Sequence, residues 1–376
     1  MSPIQTYIGM ETAHALSKKF GTNVTVGRVD LGLMNRIIID DVYLFDQSGK
    51  LMLKAARTSA KFDLLSLIHG KIHISSAQLF SFDLNLYKNS AKSKPNYQFV
   101  LDSLASKDTT SKSNLDLRIN SLIVRRGNIS YNKHYLPYTD GKFNLSHLNI
   151  RNFNAHVLLK ALGSDSINVN IKKMSLQEHS GLIINNMNFK FEANHKKCML
   201  SDMNIEMPAT HMEIDTMSAT YKFAKGKIIP ATLQFYGGIH RSKITLKDFS
   251  CFQPKLKRFT EPIYFITDIS GTSTQVRVKR LKINSAAGIN LVANGSLKES
   301  GDEKLTYYAH VNTMKLSTSF MSDIYKLIDS EKKTPEVLTN LEHFIFSGEL
   351  GGIGKNLFAR GFFETGVGKA QIDAGI

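Results

Sequence analysis

The sequence predicts a mainly β protein: an elongated, curled antiparallel sheet of repeated strands, with a short N-terminal helix and small helical insertions. Three observations support this fold class. Apolar and polar residues alternate over long stretches of the 376 residues, one eight-residue pattern recurs from end to end, and no section alternates strands with long amphipathic helices. With 42% apolar residues and 22 Phe, the chain also has enough material for a continuous apolar surface.

The chain opens with a helix signal. Ser2 and Pro3 suit a helix cap and first turn, and apolar residues then fall on one face until Phe20, just before Gly21. From Asn23 to Lys88 the apolar residues instead recur with period two, which is typical of strands. We therefore assign residues 1–89 to an N-terminal helix and the first strand repeats.

The repeated pattern reads apolar, polar, apolar, two polars, apolar, polar, apolar. A random chain of this composition and length should contain it roughly once. Eight copies occur, several of them 26 to 33 residues apart, which is a spacing typical of stacked repeats. They are Val24–Leu31, Ile72–Leu79, Phe143–Ile150, Val169–Leu176, Met212–Ala219, Ile244–Cys251, Val276–Ile283 and Ala309–Leu316, with near-matches at Ile37–Leu44 and Leu117–Val124.

Two structures keep the four apolar residues of this pattern on one face, a two-residue hairpin and a bulged strand. Tight hairpins favour Asn-Gly or Asp-Gly at the centre. The central pairs here include Ser75-Ser76, Lys172-Lys173, Lys279-Arg280 and Asn312-Thr313. We therefore predict bulged strands, and bulges at similar places in many strands would curl the sheet into a trough with its apolar face inside.

The remaining boundaries follow from local composition. Residues 90–113 form a polar linker whose apolar residues from Tyr97 to Leu104 predict a short helix, and residues 114–316 carry the repeated strands. Residues 317–344 form a helical insertion that restarts at Thr334-Pro335. Residues 345–376 begin a further, incomplete set of β repeats.

No catalytic motif is recognisable, so an enzyme is not expected. The segment Gly348–Asn356 superficially resembles a phosphate-binding loop, but Glu349 occupies the first Gly position and Asn356 replaces the magnesium-binding hydroxyl. His69 and His73 would suit a metal on a helix, whereas the strand pattern places His73 on an outer face. Cofactors and metals are therefore not expected.

Neither the cysteines nor the net charge indicates a disulfide scaffold or a nucleic-acid-binding site. Cys198 and Cys251 are too few for a disulfide scaffold, and we expect no essential disulfide between them. The formal charge of +16 is dispersed along strand faces, and the aromatic residues belong to the buried alternation, so nucleic-acid binding is not expected. The sequence contains no apolar stretch long enough to cross a bilayer and no signal peptide.

A series of short motifs resembles the AsmA-like and TamB envelope proteins of Gram-negative bacteria. The N-terminal motifs are Gly21–Val24, Val29–Leu31, Ile39–Leu44, Asp46–Gly49, Asp63–Leu67 and Lys71–Ile74. Residues 117–131, with Arg126-Gly127-Asn128, and the strands from Phe346 to Phe363 look like further repeats of that family. The resemblance covers the N-terminal part of the chain well, the middle in patches and the C-terminal part moderately.

The resemblance implies a function in lipid traffic. It implies a periplasmic β-groove, anchored in the inner membrane by a segment absent from this chain, that carries phospholipid towards the outer membrane. A BamA-like outer-membrane barrel is the implied partner of a C-terminal region that is also absent, so the chain resembles an amino-terminal portion or a truncated member. A scaffold or chaperone that assists assembly of outer-membrane barrels is the alternative function, using exposed strand edges as templates.

A groove of this kind needs only an apolar lining for phospholipid acyl chains, since burial stabilises each methylene by roughly 0.8 kcal/mol. The alternative is that the same residues form the cores of closed β-sandwiches. The residues predicted to line the groove are Val26, Ile74, Phe82, Leu84, Ile119, Leu145, Ile171, Ile214, Val278, Ile283 and Val311.

The distribution of strand patterns from end to end predicts that solution scattering will show an elongated monomer, either a rod or a crescent. A radius of gyration near roughly 21 Å, the value for one compact globule of this length, would contradict the prediction.

Overall fold

The computed structural model describes residues 11, 13–14, 16–32, 36–62, 72–105, 115–162, 166–224, 227–300, 304–328 and 335–375. The chain divides into two compact units. The first contains residues 1–160 and 169–187, and the second contains residues 161–168 and 188–376. Strands dominate both units, which confirms the predicted mainly β fold class.

Strands β1 to β9 begin in the first half of the chain, and β7, β8 and β9 contribute residues to both units. They are β1 (Val24–Thr25), β2 (Val29–Gly32), β3 (Arg36–Phe45), β4 (Leu51–Phe62), β5 (Ile72–Lys88), β6 (Leu115–Lys133), β7 (His147–Leu162), β8 (Ser166–Glu178) and β9 (Ile183–Asn194). β1 and β2 both pair with β3, and the ladder then runs through β4, β5 and β6 to β7.

The second unit contains ten consecutive antiparallel strands, each hydrogen-bonded to the next along the chain. They are β10 (Lys197–Glu206), β11 (His211–Ala224), β12 (Lys227–Ile244), β13 (Ile263–Thr272), β14 (Gln275–Ser285), β15 (Ile289–Ser300), β16 (Lys304–Ser317), β17 (His343–Ile353), β18 (Asn356–Thr365) and β19 (Gly368–Gly375).

The prediction of bulged strands is confirmed for four copies of the pattern, whereas the register of β1 and β2 against β3 runs without a shift across Gly27 and Arg28. In β14, Val278 pairs with Ile269 and Arg280 pairs with Asp268, so Lys279 is an extra residue. The register also shifts at the centre of the copies in β5, β11 and β16, and none of these centres is a hairpin. Each shift returns the second pair of apolar residues to the face of the first pair.

Non-glycine residues with positive φ mark further bent positions. In the first unit Asp41, Ser81, Arg126 and Asn152 have φ between 50° and 55° on strands β3, β5, β6 and β7. Asp202 has φ 53° in β10, beside the register shift of β11. This left-handed conformation is uncommon outside glycine, so the strands bend at defined places.

Three expectations about strands were wrong. Residues 143–146 form a turn before β7, and Ile244–Cys251 leaves the sheet for the 3₁₀ helix η1 (Leu246–Phe249). β5 and β6 pair in parallel, which departs from the antiparallel sheet predicted. The connection of residues 89–114 is long enough to return the chain to the starting end, as a parallel pair requires.

The predicted helical insertions are present. The linker contains α1 (Gln98–Ala105), and the insertion before β17 contains α2 (Thr318–Ile328) and α3 (Glu336–Asn340), which Pro335 precedes. A second 3₁₀ helix, η2 (Pro254–Arg258), follows η1. Of the N-terminal helix, residues 16–20 are described as helical, and they end at Gly21 with φ 63°.

Helical residues cover one end of the apolar face in the first unit. Leu16, Phe20 and Phe99 pack with Val24 and Leu44, and the rings of Phe20 and Phe99 meet edge to face with centroids 6.5 Å apart. A second cluster joins Ala55, Phe82, Val124 and Ala155 across β4 to β7. The core of this unit therefore consists of same-face residues of neighbouring strands, closed at one end by helix.

The close approach of Phe82 to Gly127 predicts a stability effect. A Cβ built on Gly127 would lie 2.1 Å from the Phe82 ring, and Phe82 is only 3% exposed. We expect Gly127→Ala to lower the free energy of unfolding by about 1–3 kcal/mol, because the ring has no room to retreat. Urea unfolding measures the loss; Gly375→Ala, whose Cβ would be 3.6 Å from its nearest neighbour, is the control. Equal stability of the two variants would contradict this packing.

Candidate functional site

One face of the second unit is apolar across all ten strands. Paired residues share a face of an antiparallel sheet, so the register defines rows that cross the sheet. One such row contains no polar side chain at all. It consists of Leu200, Met217, Gly237, Ile269, Val278, Gly295, Ala309, Leu350, Ala359 and Ala374.

Three parallel rows extend this second-unit apolar face along the strands. In β14 the four rows contain Val276, Val278, Leu281 and Ile283, which are the four apolar positions of one copy of the repeated pattern. Among the partners of these residues in β13 and β15, Thr267 carries the one polar side chain. The polar residues between them, such as Arg277 and Lys282, point to the opposite face.

The described strands of this unit form one layer. Each packs against its sheet neighbours, and the apolar residues that β14 contributes to this face stay half-buried. Ala293, Val311 and Phe346 are buried by residues of the same face, including Leu291, Met314 and Phe363. A sandwich core would instead need a second sheet about 10 Å away.

Helical segments gather at one end of the strands in this unit. η1 and η2 connect β12 to β13, and α2 and α3 connect β16 to β17 at the same end. The Lys255 Nζ of η2 donates a hydrogen bond of 3.2 Å to the Leu327 carbonyl of α2. The short connections β13 to β14 and β17 to β18 lie at the other end.

Four of the predicted lining residues lie on the apolar face of the second unit. Val278 and Ile283 are half-buried in two of the four rows of β14, and Val311 is buried in β16 opposite Ala293. Ile214 is buried in β11, where it pairs with Met203. The sequence pattern alone therefore placed these four side chains on a common face.

The other predicted residues have different surroundings. Phe82 belongs to the buried cluster of the first unit, and Val26 and Leu84 pack against the cluster that contains Phe99. Ile171 is half-buried in β8. Ile74 and Ile119 lie in β5 and β6, but their side chains are outside the described residues, as is His73.

Leu145 is not where the pattern placed it. It lies in the turn before β7 and is 69% exposed. The pattern Phe143–Ile150 has the right order of apolar and polar residues, but Asn144 accepts a backbone hydrogen bond from Ser146 that closes the turn. Local hydrogen bonding by Asn therefore overrides the strand alternation here.

The opposite, polar face carries a chain of charged groups over the bent positions of β11 to β14. The imidazole of His240 donates from Nδ1 to Asp215 Oδ2 at 2.8 Å and from Nε2 to Asp268 Oδ1 at 2.9 Å. Arg280 Nε lies 2.8 Å from the second oxygen of Asp268. This cross-strand ion chain links four strands at the place where register shifts bend them.

The two carboxylates determine the charge of His240. The imidazole donates hydrogen bonds to both carboxylates. These bonds, with that to Asp215 first and that to Asp268 second, hold the pKa of His240 above its ordinary value of 6.5. Partial burial would raise the pKa of Asp268, but the hydrogen bond from His240 and the charge of Arg280 lower it overall. Nearby, His211 and Glu213 of β11 pair at 3.0 Å, and Lys243 of β12 lies across from His211.

Other candidate chemistry has no support among the described residues. They contain no cluster of three metal-binding side chains, and none of their helices is long and apolar enough to cross a bilayer. Neither Cys198 nor Cys251 is part of a disulfide. Gly348 to Ile353 belongs to strand β17, whereas a phosphate loop precedes a helix.

Comparison with known protein families, with curated proteins and with solved structures finds no match to this chain. The candidate site therefore rests on its own geometry, which is a one-sided sheet with a continuous apolar face.

The raised pKa of His240 predicts pH-dependent stability. A raised folded-state pKa adds stability that is complete below the unfolded value near 6.5 and is lost as the pH rises through the folded value. A neutral imidazole donates one hydrogen bond and cannot serve both Asp215 and Asp268. We expect the midpoint temperature of thermal unfolding to decrease as the pH rises from about 6 to about 9, which is above the range in which Asp268 titrates.

Two substitutions test the assignment to His240. In the His240→Gln variant, the glutamine amide donates to one carboxylate at every pH. The midpoint temperature of this variant should therefore be low and independent of pH across this range. Asp215→Asn removes one of the two carboxylates that raise the pKa of His240, and its amide can accept from an imidazolium or donate to a neutral imidazole, so its midpoint should vary less with pH than that of the parent. Parent-like pH dependence in both variants would refute the assignment.

Proposed function

We propose that the second-unit apolar face binds the acyl chains of phospholipid. In this proposal the chain is the periplasmic part of an inner-membrane-anchored, bridge-like protein that carries lipid towards the outer membrane. The observation that carries the proposal is the apolar face across ten strands, whose residues in β14 stay half-buried. The envelope location and direction rest on the motifs shared with AsmA-like and TamB proteins.

The size of the face supports an apolar occupant. Ten strands about 4.8 Å apart span about 43 Å, and the seven residue steps from Val276 to Ile283 span about 23 Å. The resulting area is on the order of 1,000 Å², whereas a soluble monomer rarely leaves more than a few hundred Å² of continuous apolar surface exposed. Such a face needs to be covered, and the described strands do not cover it.

The chemistry of the face suits movement as well as binding. Burial of each methylene contributes about 0.8 kcal/mol wherever the acyl chain lies, so neighbouring positions are nearly equivalent. The side chains of the row that contains Val278 are short, because five of its ten residues are Gly or Ala, including Gly237, Gly295 and Ala309. A chain lying across the strands would meet no hydrogen-bonding side chain in that row.

This proposal predicts that a charge on the face abolishes lipid binding without unfolding the protein. Val278→Asp places a carboxylate in the apolar row at a half-buried position. We expect phospholipid co-purified with the protein, measured by mass spectrometry, to fall at least about tenfold, while the thermal midpoint changes little. Asn284→Asp adds the same charge to the polar face of the same strand and should retain lipid.

A contrasting substitution separates the face from a closed core. Phe82 is fully packed in the first unit, so Phe82→Asp should cost several kcal/mol and unfold that unit. Photo-crosslinking from position 278 to labelled phospholipid gives the direct readout. If the parent carries no lipid and Val278→Asp melts as Phe82→Asp does, the groove proposal fails and the sandwich interpretation of the sequence returns.

A further inference from the structure

A hairpin of the second unit extends past the last ladder pairs of the strands on either side of it, and on the β10 side the turn before β10 contacts it, with the rings of His195 and Phe223 5.1 Å apart. The pairing of β12 with β13 stops at Gln234 and Thr272, and that of β10 with β11 stops at Lys197 and Thr220. The pairing of β11 with β12 continues for Lys222 with Ile229, Phe223 with Ile228 and Ala224 with Lys227. We call residues 221–224 and 227–233 the projecting hairpin.

The projecting hairpin exposes apolar side chains on both of its faces. Phe223 is 40% exposed and its cross-strand partner Ile228 44% exposed, while Ile229, on the other face, is 38% exposed. A lone pair of strands buries too little apolar surface to be stable by itself in water. Leu305, Ile353 and Leu357, in the hairpins β15–β16 and β17–β18, are also exposed at this end.

The charge of the hairpin has one sign. The stretch Tyr221–Leu233 contains three lysines and no Asp or Glu. Of these, Lys222 and Lys227 are described, and both are exposed. Exposed apolar residues flanked by lysines are the combination that binds the interface of an anionic bilayer, where each lysine near the surface adds about 1 kcal/mol.

We propose that the projecting hairpin docks on the surface of an anionic bilayer. Phe223, Ile228 and Ile229 enter the boundary between headgroups and acyl chains, and Lys222 and Lys227 contact phosphate groups. The lysine charge favours this occupant over a second copy of the same chain, because two copies would bring lysines against lysines. The inference does not require the apolar face to carry lipid.

The absence of tryptophan from the sequence allows a direct test. Phe223→Trp makes position 223 the single tryptophan of the full chain. Added vesicles of phosphatidylcholine with phosphatidylglycerol should shift its emission to shorter wavelength, and brominated lipid should quench it. Val367→Trp is the matched control, because Val367 is 77% exposed in the turn between β18 and β19, at the opposite end of the strands.

Vesicle sedimentation measures the contribution of each group. Phe223→Ser and Ile228→Ser should each weaken binding about tenfold, because each removes a large apolar side chain from the interface. Lys222→Gln and Lys227→Gln should each weaken it about fivefold at low salt, and pure phosphatidylcholine should bind the parent poorly. Val367→Ser should bind as the parent does.

The outcomes are separable from those of the lipid-carrying proposal. Intact vesicles that bind the parent but not the hairpin variants support docking, even if no lipid is extracted. Equal emission shifts for Phe223→Trp and Val367→Trp would overturn it, as would unchanged sedimentation of the hairpin variants or no binding by the parent. Concentration-dependent dimers that the hairpin variants dissolve would assign the hairpin to self-association, and so would also overturn it.

Discussion

The one-sidedness of the sheet depends on a single constraint, the parity of side chains along a strand. Successive side chains alternate between faces, so two adjacent polar residues would send the next apolar residues to the wrong side. An extra residue at the polar pair, such as Lys279 in β14, restores the face. The apolar face, the bends and the charged pairs over them all follow from that extra residue.

The polar residues at the bends face outward, where they form ion pairs between neighbouring strands. At the bend of β3, Asp40 accepts a hydrogen bond of 2.6 Å from Arg57, and this bond, with burial opposing it, holds the pKa of Asp40 below its ordinary value. Lys190 contacts Asp202 at 2.6 Å in the same way. Exposed pairs of this kind contribute little individually, about 0–1 kcal/mol. The chain centred on His240 differs because it joins four strands and because its two carboxylates raise the pKa of the imidazole.

The same strand pattern serves different purposes in the two units. In the first, helical residues around Phe20 and Phe99 close one end of the apolar face, and Phe82 fills a site that leaves no room for a Cβ at Gly127. In the second, half-buried residues such as Val278 have no described layer over them. The apolar period thus encodes a face, and what covers the face decides whether it becomes a core or a binding surface.

The sequence by itself determined the β class, the helices near residues 98–105 and 318–340, and the bulges at Ser75, Lys279 and Asn312. These features depend on local alternation and on parity, which a single strand already carries. Only the tertiary structure decided that β5 and β6 run in parallel and that Phe82 is core while Val278 is uncovered. It also decided that Asp215, His240, Asp268 and Arg280, up to 65 residues apart, form one chain. Partners of this kind are brought together by strand order and register between strands, which no local pattern contains.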